Sequence, residues 1–480
     1  MADSYDFGLV GLGVMGRNFI LNVADNGFTA YGNDLNREAV DALIKEGGDP
    51  ARVNASTQVK TFVDALTIPR KIMLLVPAGK VVDMVIESLL PHLDKGDIII
   101  DGGNSFFTDT DRREAYLRDK GINFFGAGVS GGAEGARKGP SIMPGGSQEA
   151  YAHVRPIFEA VAAKFKGEPC VAYLGPKSAG NYVKMVHNGI EYGLMQLTSE
   201  IYDLLKKAGG LDNEELQQTF AGWNQGRLQS FLVEITSEIF GRKDELGPGH
   251  LVDKILDRAK QKGTGKWTSQ NAMDLGIPIP TIDVAVSMRE ISALKEERTK
   301  ADALYQRPTP QSVDKGELTT KAEQALYFAF ILTYAQGMHQ LRDASREYGY
   351  DLALGDIAKI WRAGCIIRAA LLEDIAEAYQ GNRDTENLLL SPTFVAKVQQ
   401  TVGAARELVA YAATNGIPMA GLSNALTYFD SYTSSRLPLN LIQAQRDYFG
   451  SHTYERVDRE GIFHTQWENQ GSPEGPNTHP

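Results

Sequence analysis

Short apolar runs alternate with amphipathic helical patterns over the first third of the chain. The run FGLV, at residues 7–10, is followed by a helical pattern and then by the strand candidate TAYG, which leads to Asp34. Further apolar runs typical of buried strands are found at 71–77, 97–101 and 122–132. Buried runs separated by helical patterns predict parallel strands joined by crossover helices. The pattern therefore predicts an α/β domain with a parallel sheet over residues 1–178.

Strand patterns stop at about residue 179, and long helical patterns punctuated by Gly or Pro follow. Two of them, 181–209 and 321–349, look related, and each leads into a helix that contains a tryptophan, Trp223 or Trp361. Such internal similarity indicates a tandem duplication. We therefore predict a large all-α domain made of a duplicated helical unit over 179–435. A C-terminal tail should follow over 436–480, and its last ten residues, GSPEGPNTHP, are typical of disorder.

One of these helical patterns, NYVKMVHNGIEYGLMQL at 181–197, is apolar except for one row of polar residues. Lys184, His187, Asn188 and Glu191 recur at i, i+3, i+4 and i+7, which places them on one helix face. A lysine, a histidine, an amide and a carboxylate in one row are unusual on a largely apolar helix, which makes the row a candidate for function. The alternative is a structural Lys–Glu pair beside a core histidine, although this spacing is too wide for a tight ion pair. The second copy lacks the row, which suggests that packing does not need it.

Composition narrows the classes of protein to consider. A chain of 480 residues predicts two or three domains, and the net charge of −11 argues against nucleic-acid binding while still allowing a local anion site. The two cysteines, Cys170 and Cys365, have no CxxC spacing, which favours a reducing, cytoplasmic location and predicts no metal site. The sequence shows neither a signal peptide nor an apolar run that could cross a membrane, so we expect no membrane association.

A glycine motif makes the first domain a candidate for dinucleotide binding. Gly11-x-Gly13-x-x-Gly16 lies between the first strand candidate and a helix, the context expected of a Rossmann-like domain. Its glycines allow a tight turn, close approach of a pyrophosphate and close packing of helix on strand. Asp34 could accept a hydrogen bond from the 2′-hydroxyl of an NAD ribose and would repel a 2′-phosphate, unless nearby Arg37 offsets this. Alternatively, Asp34 only caps the following helix.

Three other loops carry candidate binding chemistry. DGGNS at 101–105 and the glycine-rich segment at 129–146 offer backbone N–H groups with Asn104 and Ser130, which suits a substrate rich in oxygen. QKGTGKWT offers Thr264 between two lysines, which suits a phosphate. Ordinary glycine turns and solvated lysines are the alternative interpretation of all three loops.

Taken together, these motifs resemble the family of 6-phosphogluconate dehydrogenases over nearly the whole chain. The resemblance rests on GLGVMGRN, DGGNS, GVSGGAEGARKGPSIMPGG, KMVHNGIEYGLMQL, QKGTGKWT and NLIQAQRDYFGSHTYER. It implies oxidative decarboxylation of 6-phosphogluconate to ribulose 5-phosphate and CO₂ with reduction of NAD(P)⁺, a step of the pentose phosphate pathway that needs no metal. It also implies a homodimer in which the C-terminal tail completes the neighbour's site.

The resemblance assigns roles to individual positions. Lys184 matches the general base and Glu191 the general acid. The substrate would be held by Asn104, Ser130, Gly131, Gly132, His187, Asn188, Tyr192, Lys262, Thr264 and Arg289, with Arg446 and His452 from the neighbouring subunit. The coenzyme would be held by Gly11, Leu12, Gly13, Val14, Met15, Gly16, Asp34, Leu35, Asn36, Val76, Pro77, Ala78 and Asn104.

The sequence departs from the family at the coenzyme site. NADP-dependent members typically carry Asn-Arg-Thr where this chain has Asp34, Leu35 and Asn36. The family usually uses NADP, but here we expect NAD to serve at least as well. Two other functions stay open: a dehydrogenase of an unphosphorylated β-hydroxy acid, and a nucleotide sensor or scaffold without catalysis.

Overall fold

The computed structural model describes residues 4–467 and builds the first part of the chain around one seven-stranded sheet. Its strands are β1 Phe7–Val10, β2 Ala30–Asn33, β3 Val53–Ser56, β4 Lys71–Leu74, β5 Ile98–Asp101, β6 Asn123–Ser130 and β7 Ser141–Pro144. They lie in the order β3-β2-β1-β4-β5-β6-β7, and all neighbours are parallel except β7, which runs antiparallel to β6. The predicted parallel sheet is confirmed, with the strand order of a Rossmann-like fold.

The strands β3 and β7 are not among those that the sequence predicts, and both lie at sheet edges. Strand β3 reads VNAS, and its positions alternate between buried and half-buried with only two apolar side chains. Strand β7 reads SIMP and ends in a proline, a residue confined to edges because it cannot donate to a neighbouring strand. Short edge strands of this kind lack the long apolar run by which central strands are recognised.

Helices cover both faces of the sheet. They are α1 Val14–Asp25, α2 Arg37–Gly47, α3 Val59–Asp64, α4 Lys80–Leu89, α5 Phe107–Arg118, α6 Gly132–Lys138 and α7 Gln148–Val161. One apolar core contains Phe19 of α1 and Phe158 of α7, and a second contains Phe62 of α3 and Leu117 of α5. Two separate cores are expected when a parallel sheet is buried on both sides. A two-residue hairpin, β8 Lys164–Phe165 with β9 Glu168–Pro169, follows α7.

From residue 179 to residue 467, where the description ends, the chain forms helices, loops and one further short hairpin. Its helices are α8 Ala179–Gly209, α9 Asn213–Trp223, α10 Phe231–Gly241, α11 Thr264–Asp274, α12 Pro280–Ala293, α13 Lys295–Leu304, α14 Lys315–Tyr348, α15 Leu354–Ile360, α16 Leu371–Gly381, α17 Pro392–Thr414, α18 Ala420–Tyr432 and α19 Leu439–Gly450. Within the described part of the chain, none of the helices is long and apolar enough to cross a membrane.

The duplication of the helical part stays a prediction, and on that prediction α8 to α12 are called the first repeat and α14 to α18 the second. Each opens with a long helix, of 31 residues in α8 and 34 in α14, and these two helices pack against each other. The loops that follow α9 and α15 also meet, because Ser230 and Ala369 form an antiparallel bridge. The N–H of Phe231 donates to the carbonyl of Arg368 at 3.0 Å, and the N–H of Ala370 donates to that of Gln229 at 2.9 Å.

Each repeat caps a helix of the other. Glu200 on α8 accepts the N–H groups of Gly421 and Leu422, at 2.7 and 3.0 Å, in the first turn of α18. Gln336 on α14 accepts the N–H of Thr281 at 3.0 Å in the first turn of α12. Both caps satisfy N–H groups that a helix start leaves without an intrahelical partner.

Helix α8 lies directly on strand β6, because glycines allow a close approach. A Cβ atom added to Gly128 would lie 2.3 Å from Cβ of Lys184, and one added to Gly126 would lie 1.6 Å from Oδ1 of Asn181. These two positions share one face of the strand, so any side chain there would push α8 away from the sheet. The sheet and the helix that carries the polar row are therefore in direct contact.

The described residues from Thr427 to Trp467 belong to a second compact unit. Its described part contains α19 and a hairpin of two short strands, β10 Tyr454–Glu455 and β11 Ile462–Phe463, which the sequence does not predict. Its centre is the buried carboxylate of Asp447, which accepts hydrogen bonds from Thr453 N, His464 Nδ1, Thr465 N and Trp467 Nε1. The domain limits drawn at residues 178 and 435 stay predictions, and the disorder predicted for residues 471–480 lies outside the described residues.

Candidate active site

The glycine motif forms the turn between β1 and α1. Gly11 has a φ of +99°, which favours glycine, and a Cβ atom on Gly16 would lie 1.8 Å from the Gly11 carbonyl oxygen. Gly13 precedes α1 as its N-cap without a side-chain hydrogen bond. The first N–H groups of α1 are thus suited to bind the pyrophosphate of a dinucleotide.

Asp34 follows β2 and is tied to the glycine turn. Its Oδ2 accepts the N–H of Leu12 at 2.7 Å, and its Oδ1 accepts the N–H of Asn36 at 2.9 Å. The residue that caps α2 is Asn36, whose side chain accepts the N–H of Glu38. Asp34 is therefore oriented by backbone donors at the edge of the coenzyme turn. Arg37 is exposed and pairs with Asp41 at 2.9 Å.

Two cavities lie along the carboxyl edge of the sheet. One, of about 460 Å³, is lined by Gly11, Gly13, Asp34, Leu35, Val76, Pro77 and apolar residues of α4 such as Met84. The other, of about 700 Å³, is lined by Met15, Val76, Pro77, Ala78, Asn104, Phe106, Val129, Lys262 and Trp267, among others. The predicted coenzyme residues and several predicted substrate residues thus share a continuous region at the edge where ligands bind to such sheets.

The polar row of α8 is buried. Lys184 is 6% exposed, and its Nζ lies 3.5 Å from Nδ1 of His187. Burial lowers the pKa of Lys184 from its ordinary value. Burial, and then the nearby charge of Lys184, hold the pKa of His187 well below its usual range, so the imidazole is neutral. Its Nε2 is 3.3 Å from Oγ of Ser130, and its Nδ1 is 3.0 Å from Oδ1 of Asn188.

Glu191 completes the row at its other end. Its side chain is 22% exposed, and its Oε2 lies 4.0 Å from Nδ1 of His187. Burial raises the pKa of Glu191, although the charges of Lys184 and Arg289 act in the opposite direction. The surroundings therefore shift the two pKa values in opposite directions, towards the neutral amine at Lys184 and towards the protonated carboxyl at Glu191.

Glycines form one wall beside this row. Gly131 and Gly132 begin α6 with φ angles of +124° and +63°, directly after the buried Ser130. A Cβ atom on Gly131 would lie 2.6 Å from the carbonyl oxygen of Gly364, in the second repeat. The backbone N–H groups of this turn remain available to oxygen atoms of a ligand.

The predicted phosphate pocket is formed in part within the first repeat. The Arg289 guanidinium lies 3.5 Å above the ring of Tyr192, and Thr264 begins α11 after Gly263. Tyr192 also contacts this helix start, because a Cβ atom on Gly265 would lie 2.4 Å from its ring. Lys262 is exposed at the same loop. A helix start, an arginine and a lysine are well suited to a phosphate group.

Arg446 and His452 belong to the second unit and are exposed there. Arg446 donates to Oε1 of Gln443 at 3.1 Å, and the ring of His452 packs edge-on against Phe449. Among residues 4–467, no group of three or more His, Cys, Asp or Glu side chains is placed to hold a metal ion.

The second repeat contributes contacts that the sequence reasoning missed. The ring of Trp361 packs edge-on against His187 with ring centres 5.5 Å apart, and the N–H of Ile366 points to Oγ of Ser130 at 3.5 Å. Burial raises the pKa of the neighbouring Cys365 thiol to about 12, so this sulfur is not a nucleophile. The sequence identifies Trp361 only as a marker of the duplication and holds no signal that it would contact the polar row.

Comparisons with known proteins agree along the whole chain. The family model described as the NAD binding domain of 6-phosphogluconate dehydrogenase matches residues 6–175, and the one described as the C-terminal domain of 6-phosphogluconate dehydrogenase matches residues 180–467. The decarboxylating 6-phosphogluconate dehydrogenase of Lactococcus lactis is 54% identical over 465 residues, which is 96% of this chain and 98% of that protein. The NADP⁺-dependent enzyme of Bacillus subtilis is 52% identical, again over 96% of this chain and 98% of that protein.

A solved structure leads to the same family. The 6-phosphogluconate dehydrogenase of Plasmodium falciparum, determined in its apo form and in complex with NADP⁺ and with 6-phosphogluconate, aligns with a TM-score of 0.93. It is 45% identical, and the alignment covers 96% of this chain and 100% of that one. The similarity extends across the sheet domain and the helical repeats alike.

Proposed function

Because the chain belongs to the 6-phosphogluconate dehydrogenase family, we propose that it converts 6-phosphogluconate to ribulose 5-phosphate and CO₂ and reduces NAD(P)⁺. The observation that carries this proposal is the buried row on α8. Lys184 and Glu191 share one helix face, and burial shifts their pKa values in the opposite directions that a base and an acid need.

Lys184 acts as the general base in this proposal. Oxidation of a secondary alcohol requires removal of the hydroxyl proton while hydride passes to the nicotinamide. The buried Lys184 is suited to take that proton, because burial lowers its pKa and so makes the neutral amine more accessible than in water. The neutral His187, which lies between Lys184 and Ser130, is placed to hold a substrate hydroxyl without competing for the proton.

Glu191 acts as the general acid. The oxidised product is a β-keto acid, which loses CO₂ and leaves an enediol that must be protonated on carbon. The raised pKa of Glu191 favours the protonated carboxyl that can supply this proton. Lys184 and Glu191 lie about two helical turns apart, roughly 10 Å along the axis, which suits a six-carbon substrate that extends along the helix.

The phosphate pocket favours a phosphorylated substrate over a plain β-hydroxy acid. Arg289 stacks on Tyr192 at one side of the α11 start, and Lys262 lines the large cavity. A plain β-hydroxy acid would bring no anion to neutralise the positive charges of this pocket. The sensor alternative is disfavoured by Lys184, because a buried amine is costly unless it has a function.

We propose NAD or NADP as the coenzyme, with NAD serving at least as well. The carboxylate of Asp34 is fixed by two backbone donors at the position where the adenosine ribose of a dinucleotide binds. A 2′-phosphate would lie beside this fixed negative charge. The relative from Bacillus subtilis is described as NADP⁺-dependent, so this position is where we expect the present chain to differ.

We propose a homodimer in which Arg446 and His452 complete the neighbouring site. Helix α19 buries only Asp447, while several of its apolar side chains are at least half exposed within the unit: Leu439, Leu441, Ile442, Tyr448 and Phe449. Such a helix needs a further surface to cover it. We also propose a cytoplasmic location, since Cys170 and Cys365 are free and buried.

One assay tests the proposed function. The protein is mixed with 6-phosphogluconate and NAD⁺ or NADP⁺, and absorbance at about 340 nm is followed together with released CO₂. We expect both signals with 6-phosphogluconate and little with unphosphorylated gluconate. Coenzyme binding without turnover would support the sensor alternative, and equal rates with both sugar acids would support the plain β-hydroxy acid.

A matched pair of variants tests the base. Lys184→Ala should lower kcat by several orders of magnitude, as expected when an essential proton acceptor is lost. Lys207→Ala is the control, because Lys207 is an exposed lysine on the same helix that pairs with Asp203. Near-normal turnover of Lys184→Ala would contradict the assignment.

A further inference from the structure

The loop that carries Asn104 is shaped by a buried carboxylate. Asp101 is 1% exposed, and its two oxygens accept the N–H of Gly103 at 3.0 Å and the hydroxyl of Ser105 at 2.6 Å. These two bonds close the turn on one side of Asn104. They leave the carbonyl group of Gly103 to another donor.

That donor is Asn181, in the first turn of the catalytic helix α8. Its Nδ2 lies 3.4 Å from the carbonyl oxygen of Gly103, and its Oδ1 accepts the hydroxyl of Thr110 on α5 at 3.0 Å. The side chain is 1% exposed and lies three residues before Lys184, on the same helix face. One amide therefore joins the helix of the base to the loop of Asn104.

Strand β6 leaves space for this amide. A Cβ atom on Gly126 would lie 1.6 Å from Oδ1 of Asn181, so the contact exists only because this strand position has no side chain. The amide thus lies between the sheet, the loop and the helix. Its oxygen accepts a hydrogen bond from Thr110, and its N–H group points to the carbonyl oxygen of Gly103.

We propose that Asn181 is a positioning residue, which fixes the loop of Asn104 relative to Lys184. The inference rests on the proposed function, in which Asn104 holds substrate and coenzyme while Lys184 removes the proton. Hydride and proton transfer need the reacting groups aligned to within a fraction of an ångström, and a displacement of about 1 Å can cost about 100-fold in rate. Loss of the amide frees the loop to move relative to the base.

The test is a double-mutant cycle on kcat with 6-phosphogluconate and the better coenzyme. Asn181→Ala should lower kcat by about 10- to 100-fold, while KM for the sugar acid changes by less than about threefold, because the phosphate pocket lies on other elements. In an Asn104→Ala background the same change should cost less than about twofold, because the loop then carries no group to position. A purely structural role would give the same factor in both backgrounds.

Two further variants guard against misinterpretation. Thr198→Val is the control, since Thr198 also lies on α8, is also buried, and donates to the carbonyl of Leu194 in its own helix. It should leave kcat within about twofold of wild type. If Asn181→Ala does not fold, Asn181→Asp serves in its place, because it keeps the volume and the acceptor for Thr110 but offers no N–H to Gly103.

The outcomes separate this inference from the proposed function. Absence of turnover by the wild-type protein overturns the proposed function and this inference with it. Normal kcat in a folded Asn181 variant, or equal losses in both backgrounds, overturns this inference alone. A loss of kcat that disappears in the Asn104→Ala background supports it.

Discussion

At the scale of single residues, the surroundings of α8 give two ionisable groups on one face opposite preferences. Lys184 is buried beside His187, and this burial lowers the pKa of its amine although the charge of Glu191 acts in the opposite direction. Glu191 lies farther along the same face, where burial favours the protonated carboxyl. The helix supplies the spacing, and the burial supplies the protonation states.

The pH dependence of kcat/KM should therefore be bell-shaped. It should fall at low pH because a protonated Lys184 cannot accept the proton of the hydroxyl. It should fall again at high pH, because an ionised Glu191 cannot donate to carbon. In Glu191→Gln the residual activity should lose the alkaline limb and keep the acid one. A Glu191→Gln profile with the same two limbs would contradict the assignment of the acid.

Coenzyme choice also depends on single residues. Replacing Asp34 and Leu35 together, as Asp34→Asn with Leu35→Arg, should raise the ratio of kcat/KM for NADP over NAD by at least about tenfold. That factor corresponds to about 1.4 kcal/mol. It comes from the loss of repulsion between Asp34 and the 2′-phosphate and from the binding of that phosphate by the new guanidinium group. Arg37→Ala is the control. If the wild type strongly prefers NADP and Arg37→Ala abolishes the preference, the interpretation of Asp34 is wrong.

Some of these residues could be predicted from the sequence, and others could not. The polar row could be recognised because helical spacing converts directly into a shared face. Gly126 and Gly128 could not, because a glycine within a strand pattern does not reveal which element will pack against it. The proposed role of Asn181 could not be predicted for the same reason, since it depends on a contact with Gly103, which lies 78 residues away in the chain.

At the scale of elements, the buried caps between repeats are a determinant of stability. Glu200 is 4% exposed, and Gln196 donates to it at 2.8 Å in addition to the two N–H groups of α18. Glu200 therefore accepts hydrogen bonds from two buried backbone N–H groups and from the partly buried amide of Gln196. Removing it leaves those donors buried without an acceptor.

Glu200→Ala should accordingly lower the free energy of unfolding, measured by urea denaturation, by about 1–3 kcal/mol. Glu238→Ala is the control and should change it little, because Glu238 lies at an exposed site of α10.

The contribution of Glu200 should depend on pH. Burial raises the pKa of Glu200, so the folded state holds its proton more tightly than the unfolded chain. Its contribution is then complete at low pH and declines as pH rises through the folded pKa. The stability difference between wild type and Glu200→Ala should therefore shrink as pH rises, and a constant or growing difference would contradict this.

At the scale of the whole molecule, the sequence predicts the fold class correctly, whereas it does not predict the contacts between the two helical repeats. The α/β pattern and the two long helices follow from local periodicity. The bridge between Ser230 and Ala369 joins loops of no distinctive composition, and only folding brings them together. The C-terminal tail is a second example. Helix α19 exposes apolar side chains, and no local sequence pattern identifies the surface that covers them.

Mixing two inactive variants tests the proposed dimer. Lys184→Ala and Arg446→Ala chains, unfolded together and refolded, should recover about a quarter of the wild-type activity. Half of the dimers are then mixed, and one of the two sites in each is intact. A mixture of Lys184→Ala and Glu191→Gln should recover none, because both residues lie on one helix of one chain. Equal recovery in both mixtures, or in neither, would contradict a shared site.

The reciprocal caps between α8 and α18 and between α14 and α12 also bear on ancestry. If the two repeats arose by duplication, an ancestor with a single repeat would have lacked the partner that now supplies the carboxylate or amide for its terminal helix. Such a chain could satisfy that helix only by borrowing a side chain from a second molecule. Gene fusion would then have turned an obligatory pair of chains into one polypeptide, and splitting the present chain between α13 and α14 should regenerate two halves that are soluble only when expressed together.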